Sequence, residues 1–326
     1  MSTERRTANE WLTPDEIKHF VTPSNARGFV SVAVSWSVIA GAFALLAYFP
    51  TNPFAWVVSL ILLGGRHLGL SILMHECAHQ SLFATPWLND FVGQWFCAAP
   101  EWQRLHAYRA HHFKHHSRTS LEDDPDLVLS DPFPTSRISL IRKFARDVTG
   151  LAYFRRVAAL LLMDAGVLVY TASTGAKYAE PRPSPAQMLE NLAANFGPVL
   201  LTNSILFGVL AATGNAWLYG VWVLSWATTF SLFVRIRSIA EHAVTEHSTN
   251  PLKNTRTTEA NPIARLTVAP HHVNYHLEHH LLPKVPHYKL RELHKTLRAR
   301  GAYSDATHAR GYFEVLQQAV TSTRPA

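Results

Sequence analysis

Between Phe29 and Gly65, and again between Asn191 and Val234, the chain carries no charged side chain. A soluble core rarely continues for about 40 residues without a charge, whereas each run has the length of two membrane spans of about 20 residues. Turn residues interrupt each run near its middle: Pro50-Thr51-Asn52-Pro53 in the first and Thr213-Gly214-Asn215 in the second. The pattern predicts an all-α integral membrane protein with four transmembrane helices, near residues 29–49, 54–74, 193–212 and 216–235, paired as two hairpins. Interfacial helices and a cytosolic helical cap complete the expected fold. Charged residues make up only 16% of the chain, against about a quarter in soluble domains.

Of the 30 Lys and Arg, all but Arg66, Lys177 and Arg182 lie in segments 1–28, 101–156 and 235–326. By the positive-inside rule these segments face the cytoplasm. The net charge of +7 then follows from topology rather than nucleic-acid binding. The expected organisation is a cytosolic segment 1–28, a membrane domain 29–300 with cytosolic parts 75–192 and 236–300, and a tail 301–326. Residues 1–20 mix acids and bases without an apolar core, unlike a signal peptide. Cys77 and Cys97 give no disulfide framework. Segment 85–100 suits an interfacial helix, and 153–172, broken by Asp164, is interfacial or packed on the cytosolic part. Ala176–Gln187, with three prolines, reads as a linker. Arg66 and His67 fall inside the second span, where charge is costly, so they should face protein or a water-accessible cavity.

The chain has 19 histidines, 14 of them in the windows 75–116 and 271–294. His75 and His79 are spaced i, i+4; His112, His115 and His116 ("HFKHH") are i, i+3, i+4, as are His276, His279 and His280 ("HLEHH"). On a helix those offsets turn side chains to one face. Imidazole suits zinc, copper, iron and nickel, so ligand type does not name the metal. A catalytic zinc uses three protein ligands, and these eight histidines exceed what one ion accepts. "HECAH" alone matches the HExxH of zinc proteases, but an intramembrane protease needs a later acidic ligand and 191–234 has no acid. Soluble diiron bundles need two ExxH pairs and two further glutamates; within the two histidine-rich windows only Glu76–His79 supplies such a pair.

Together, "HECAHQS", "HFKHH" and "HLEHH" resemble the three histidine boxes of the membrane fatty acid desaturase superfamily, in order and in placement relative to the spans. The flanks "YRAHHFKHHSRTSLEDDPDL", "RIRSIAEHA" and "NYHLEHHLLPKVP" are similar as well, and the likeness covers roughly residues 30–300. Within the superfamily the chain is similar to bacterial stand-alone desaturases, including the branch associated with rhizobitoxine biosynthesis. The resemblance implies two iron ions held by nine histidines: His75, His79, His112, His115, His116, His276, His279, His280 and, after the fourth span, His242. Ser238 stands where acyl-CoA members often have asparagine. His106, His111, His271 and His272 would stand behind the ligands, and Glu76, Asp124, Asp126, Asn274 and Glu278 could orient imidazoles through their free N–H groups.

The implied activity is O2-dependent desaturation of a fatty acyl chain in the membrane, with a hydroxylase or ketolase acting on a lipid, alkane or carotenoid as the alternative. A metal transporter would favour polar ligands along the spans, which 191–234 lacks. Electrons would come from an external ferredoxin-like or cytochrome-type donor, because the chain has no nucleotide fingerprint and no fused haem motif. Lys284, Lys289, Arg291, Lys295 and Arg298 offer such a donor a basic face, or bind anionic lipid. A bacterial inner membrane, with both termini and the active site cytoplasmic, is the expected location.

Overall fold

The computed structural model describes residues 6–173 and 176–321. Residues 1–5 and 322–326 of the expected terminal segments, and residues 174–175 of the central part, lie outside the described residues. Helix α1 (Pro14–Val21) opens with a reciprocal capping box between Thr13 and Glu16. Ser24 caps α2 (Asn25–Tyr48), and Asn52 caps α3 (Pro53–Ala78), accepting from the amides of Phe54 and Ala55. Helix α4 (Pro86–Val92) continues through a π-turn (Gly93–Ala98) and a 3-10 turn (Ala99–Glu101), so the expected interfacial helix 85–100 changes winding midway. Its Trp87, Phe91 and Phe96 are exposed. Then come α5 (Leu105–Arg118), α6 (Arg137–Val148) and α7 (Tyr153–Asp164). Gly166, at φ 76°, ends α7 with its amide bonded back to Met163, and the Asp164 carboxylate turns inward, accepting from Trp102 Nε1 at 2.8 Å and lying 3.4 Å from Arg104 Nε.

Helix α8 (Pro185–Ala212) starts from a Ser184–Gln187 capping box. The expected linker therefore stops at Ser184 rather than Gln187. Proline at the first helical position is compatible with this start, its missing N–H being unneeded there. Helices α9 (Leu218–Ser225) and α10 (Ser231–His242) join through a π-turn, Trp226–Phe230. Among the described residues, α2, α3 and α8 are long and apolar enough to cross a membrane. The fourth expected span, 216–235, is interrupted by the π-turn instead of forming one long α-helix. There Thr229 bonds its hydroxyl to the Leu60 carbonyl, 2.7 Å away, and fills the space beside Gly64. Short helices α11 (Pro262–Leu266) and α12 (His276–Leu281), then α13 (His287–Ala299), complete the histidine-bearing end. Two small parallel pairs, Thr135–Ser136 with Val320–Thr321 and Thr257–Thr258 with His308–Ala309, pin later segments to earlier ones.

The antiparallel pair α2 and α3 forms the spine, packing Ile39, Phe43, Leu46, Leu63 and Leu70 with Trp222 of α9. Most of α8 leaves apolar side chains exposed, Leu200, Ile205 and Val209 among them, as a lipid-facing helix does. His67 is buried and paired: Nδ1 lies 2.9 Å from both oxygens of Glu101, and Nε2 is 2.9 Å from Ser225 Oγ.

Candidate metal centre

Because α3 runs on past the expected span end, His75 stands in its last turn and His79 follows as the C-cap. Arg109 of α5 closes that helix end, donating to the carbonyls of Cys77 and Ala78 and to Asp90. This locks α5 beside α3 and brings His112, His115 and His116 over the first pair. Helix α12 brings His276, His279 and His280 from the far side, and α10 ends at His242.

The nine histidines meet in two groups. His75, His79, His112, His116 and His279 form one, and His115, His242, His276 and His280 the other; within each, the available nitrogens lie within 4.8 Å of one another. The helical triplets are thus shared out rather than used whole. Helix α5 gives His112 and His116 to one group and His115 to the other. The groups abut, with the rings of His116 and His280 stacked 4.2 Å apart.

The chemistry of these nitrogens fits a metal. His112 Nε2 and His279 Nε2 each stand 2.9 Å from His116 Nε2, and His242 Nε2 is 2.8 Å from His276 Nε2. Both nitrogens of His75, Nε2 of His79 and Nε2 of His280 are buried with no hydrogen-bond partner. A buried polar atom left alone is costly, and a cation at the shared point removes that cost. Burial pushes the His79 imidazolium down to about 3, with Arg109 adding to it. Burial first, then neighbouring imidazoles, holds His112, His116, His276, His279 and His280 well below the usual 6.5. Neutral imidazoles keep the lone pairs that transition metals accept.

Carboxylates and carbonyls behind the rings set their orientation. Asp124 Oδ1 lies 2.8 Å from His115 Nδ1. Glu241, held by Arg237 at 2.6 Å, comes within 3.4 Å of His276 Nδ1. The Asn254 carbonyl is 3.2 Å from His242 Nδ1, and Thr119 Oγ1 is 3.4 Å from His280 Nδ1. Sequence reasoning missed Glu241, Asn254 and Thr119. Only Glu241 carried a signal, its place beside His242 in "IAEHA".

Of the other expected residues, Asp126 and Glu76 stay near the rings, 3.9 Å from His115 Nδ1 and 3.7 Å from His75 Nδ1, and the rest lie elsewhere. His111 bonds Asp126 at 2.8 Å. Asn274 donates to the Thr258 carbonyl, and Glu278 is enclosed by Thr257, His294 and Tyr303. The His272 ring lies near Tyr275 and His287, and the His106 ring faces Arg109. Glu76, the general base of a protease reading, instead accepts from the His287 amide at 2.7 Å where α13 begins. On α13, Lys289 donates to the carbonyls of His19 and Thr22, and Arg298 reaches Glu259 at 4.0 Å. Lys284, Arg291 and Lys295 are exposed.

Residues 26–312 match the family described as Fatty acid desaturase. Dihydrorhizobitoxine desaturase of Bradyrhizobium elkanii is 25% identical over 276 residues, covering 84% of this chain and 76% of that one. The sn-1 oleoyl-lipid 12-desaturase of Synechocystis is 23% identical over 288 residues, with the same two coverages of 84% and 76%. A Delta(12) acyl-lipid conjugase of Impatiens balsamina is 25% identical over 258 residues, 73% of this chain and 64% of its own. A match across most of the length, with three histidine boxes brought into two groups that could hold metal, has one meaning: the chain belongs to the fatty acid desaturase family.

Proposed function

We propose that this oxidoreductase is an O2-dependent diiron desaturase that introduces a double bond into an acyl chain within the membrane. The observation that carries the reading is the meeting of nine histidines, from four helices, in two abutting groups. His75, His79, His112, His116 and His279 would hold one iron, and His115, His242, His276 and His280 the other. When bound, a ferrous pair supplies the power to reduce O2 and oxidise an unactivated methylene.

The remaining work falls to the chain. Burial keeps the imidazoles neutral. Asp124 holds a proton at His115 Nδ1, leaving Nε2 free, and Glu241 sets a carboxylate beside His276 Nδ1. Tyr108 stacks on His112 with ring centres 5.1 Å apart, fixing that ring's plane. An apolar groove of about 1370 Å³ between α2 and α8, lined by Phe29, Trp36, Phe43 and Ile205, suits a hydrocarbon chain. Electrons come from an external ferredoxin-like or cytochrome-type protein, with the exposed Lys284, Arg291 and Lys295 as its basic landing face. The protein sits in a bacterial inner membrane, its histidine-bearing end and both termini cytoplasmic.

Lipids of an expressing host, compared by mass spectrometry with a His115→Ala control, test this. A product lighter by two hydrogens, formed only with O2 and lost in the control, is expected. Purified protein holding a single zinc and no iron would defeat the reading; a product heavier by one oxygen would move it to hydroxylation.

A further inference from the structure

Helix α6 packs one face inward and leaves an apolar face bare. Leu140 and Asp147 are buried, whereas Ile138 (68%), Ile141 (65%) and Val148 are exposed. At about 100° per residue these three fall within an arc of about 80°, and Arg137 and Arg142 stand at its two edges. Past the Gly150 turn, Leu151 (70%) and Phe154 (76%) continue the apolar surface, and Leu161 and Leu162 of α7 extend it. From Pro132 to Ser173 the acids are Asp147 and Asp164, both buried, so the exposed charge here is all positive. Arg142, Arg146 and Arg155 are exposed and form no ion pair among the described residues.

Contacts with the charge-free run 191–234 fix the level of this surface. Asp147 accepts from Arg235 Nη2 at 2.9 Å, and Arg235 is the first charge after that run. Three residues past Asp147, a Cβ at Gly150 would lie 3.6 Å from Thr228 Cγ2 and 3.8 Å from Ala227 Cβ. Thr228 stands seven residues before Arg235, about 10 Å inside the run. The Tyr153 ring is 5.8 Å from that of Trp226, and Arg156 is turned inward, its guanidinium 4.9 Å over the same Trp226. Helix α7 then returns to the other end of the run. There the carbonyls of Asp164 and Ala165 accept from the side-chain amides of Asn195 and Asn191 at 2.9 and 3.2 Å. The turn at the bottom closes its own polar groups. Gly150 donates its amide to the Asp147 carbonyl, Tyr153 donates to the Gly150 carbonyl, and Thr149 Oγ1 donates to the Ala145 carbonyl at 2.7 Å. Backbone next to lipid has to be satisfied in this way.

We propose that α6 and α7 form a wedge seated in the cytoplasmic leaflet, with Leu151 and Phe154 among the acyl chains and Arg142 and Arg146 against the phosphates of anionic phospholipids. Arg155, nearer the tip, reaches the same level along its stem and limits how deep the tip lies. An apolar centre flanked by bases is the composition of a helix at a membrane interface, and bases without acids select anionic headgroups. The bilayer that the run 191–234 crosses already lies alongside and supplies both the apolar and the anionic surface. The wedge rests on that crossing and not on the chemistry of the histidine groups.

Nitroxide labels on the full-length protein in lipid nanodiscs test this, because Cys77 and Cys97 are buried and give little background. Labels at Leu151→Cys and Phe154→Cys are expected to relax several-fold more with oxygen, which concentrates in the bilayer, than a label at Lys295→Cys. They should relax less with a water-soluble nickel chelate. Either position decides the matter if the other variant does not fold. Nickel access equal to that at Lys295→Cys would overturn the wedge. Protection from both relaxants that disappears with one protein per nanodisc would place a second copy on this face and overturn lipid as its occupant. In mixed nanodiscs, wild type is expected to hold spin-labelled phosphatidylglycerol in preference to phosphatidylcholine. Arg142→Gln with Arg146→Gln should reduce that preference about two-fold or more. A preference unchanged in the double variant would overturn the headgroup contacts.

Discussion

His115 holds its proton differently from the clustered His79, His112, His116, His242, His276, His279 and His280. Burial works against its charged form, but the Asp124 hydrogen bond and the Asp126 and Glu241 carboxylates outweigh it and raise the pKa. The Asp124 contact also fixes the proton on Nδ1. Replacing Asp124 by asparagine keeps the shape and removes the charge, so affinity for iron should fall about ten- to a hundred-fold, measured by competition with a chelator. Unchanged affinity would show that His115 needs no such support. A second consequence concerns pH. Burial takes His79 from its ordinary 6.5 down to about 3, and six other buried histidines shift the same way. Between those values the unfolded chain binds more protons than the folded one. Stability of the metal-free protein should therefore fall as pH drops from about 7 toward 5. Beside the histidine groups, His115, shifted upward, and the Glu241 carboxyl, pushed up by burial to about 7, oppose the trend but are two groups against seven. Denaturant unfolding of the metal-free protein at pH 7.5 and 5.5 measures this, and equal stability at both would contradict the burial argument.

At the scale of elements, α3 decides most of the architecture, and two adjacent glycines let it. A Cβ at Gly65 would come 1.9 Å from the Leu266 carbonyl oxygen, and one at Gly64 would come 2.3 Å from Thr229 Oγ1. The obstacle at Gly65 is the Leu266 backbone itself, whereas at Gly64 the nearest atoms are the Thr229 Oγ1 and Cβ, with the Phe230 backbone nitrogen behind them at 3.0 Å. Gly65→Ala should cost about 1–3 kcal/mol or more, and Gly64→Ala less. Gly41→Ala, with nothing within 4 Å, should be neutral or slightly stabilising through helix propensity. Thermal unfolding in detergent ranks the three, and a harmless Gly65→Ala would mean α11 does not sit against α3. None of this closeness was legible in the sequence. Charge-free runs announced α2, α3 and α8 because a lipid-facing helix must be apolar along its length. The π-turn at Trp226–Phe230 escaped notice because winding depends on what the neighbouring helix presents. Histidine spacing announced the faces of α5 and α12, since helical geometry is local. How those faces divide depends on the approach of separate helices: residues i+3 and i+4 diverge by about 100° around the axis. His115 and His116 therefore turn to different groups.

For the whole molecule, the shared histidine groups constrain how often the chain crosses the membrane. His242 ends α10, and its ring lies 4.8 Å from that of His115. Whatever distance α8 travels away from the histidines, residues 218–242 must travel back. Those 25 helical residues extend about 37 Å at 1.5 Å each, enough for a bilayer core of about 30 Å. The π-turn interrupts the regular α-helix without reversing its direction, so the return leg should act as a fourth crossing. This predicts that the turns between α2 and α3 and between α8 and α9 share the side opposite α13. Single-cysteine variants measure it, because Cys77 and Cys97 are buried and give little background. Thr51→Cys and Thr213→Cys should react with a membrane-impermeant maleimide added outside intact cells. Lys295→Cys, on the exposed side of α13, should react only after the membrane is opened. If Thr213→Cys were protected while Thr51→Cys reacted, α8 would not cross, and residues 218–242 would lie against the membrane rather than through it.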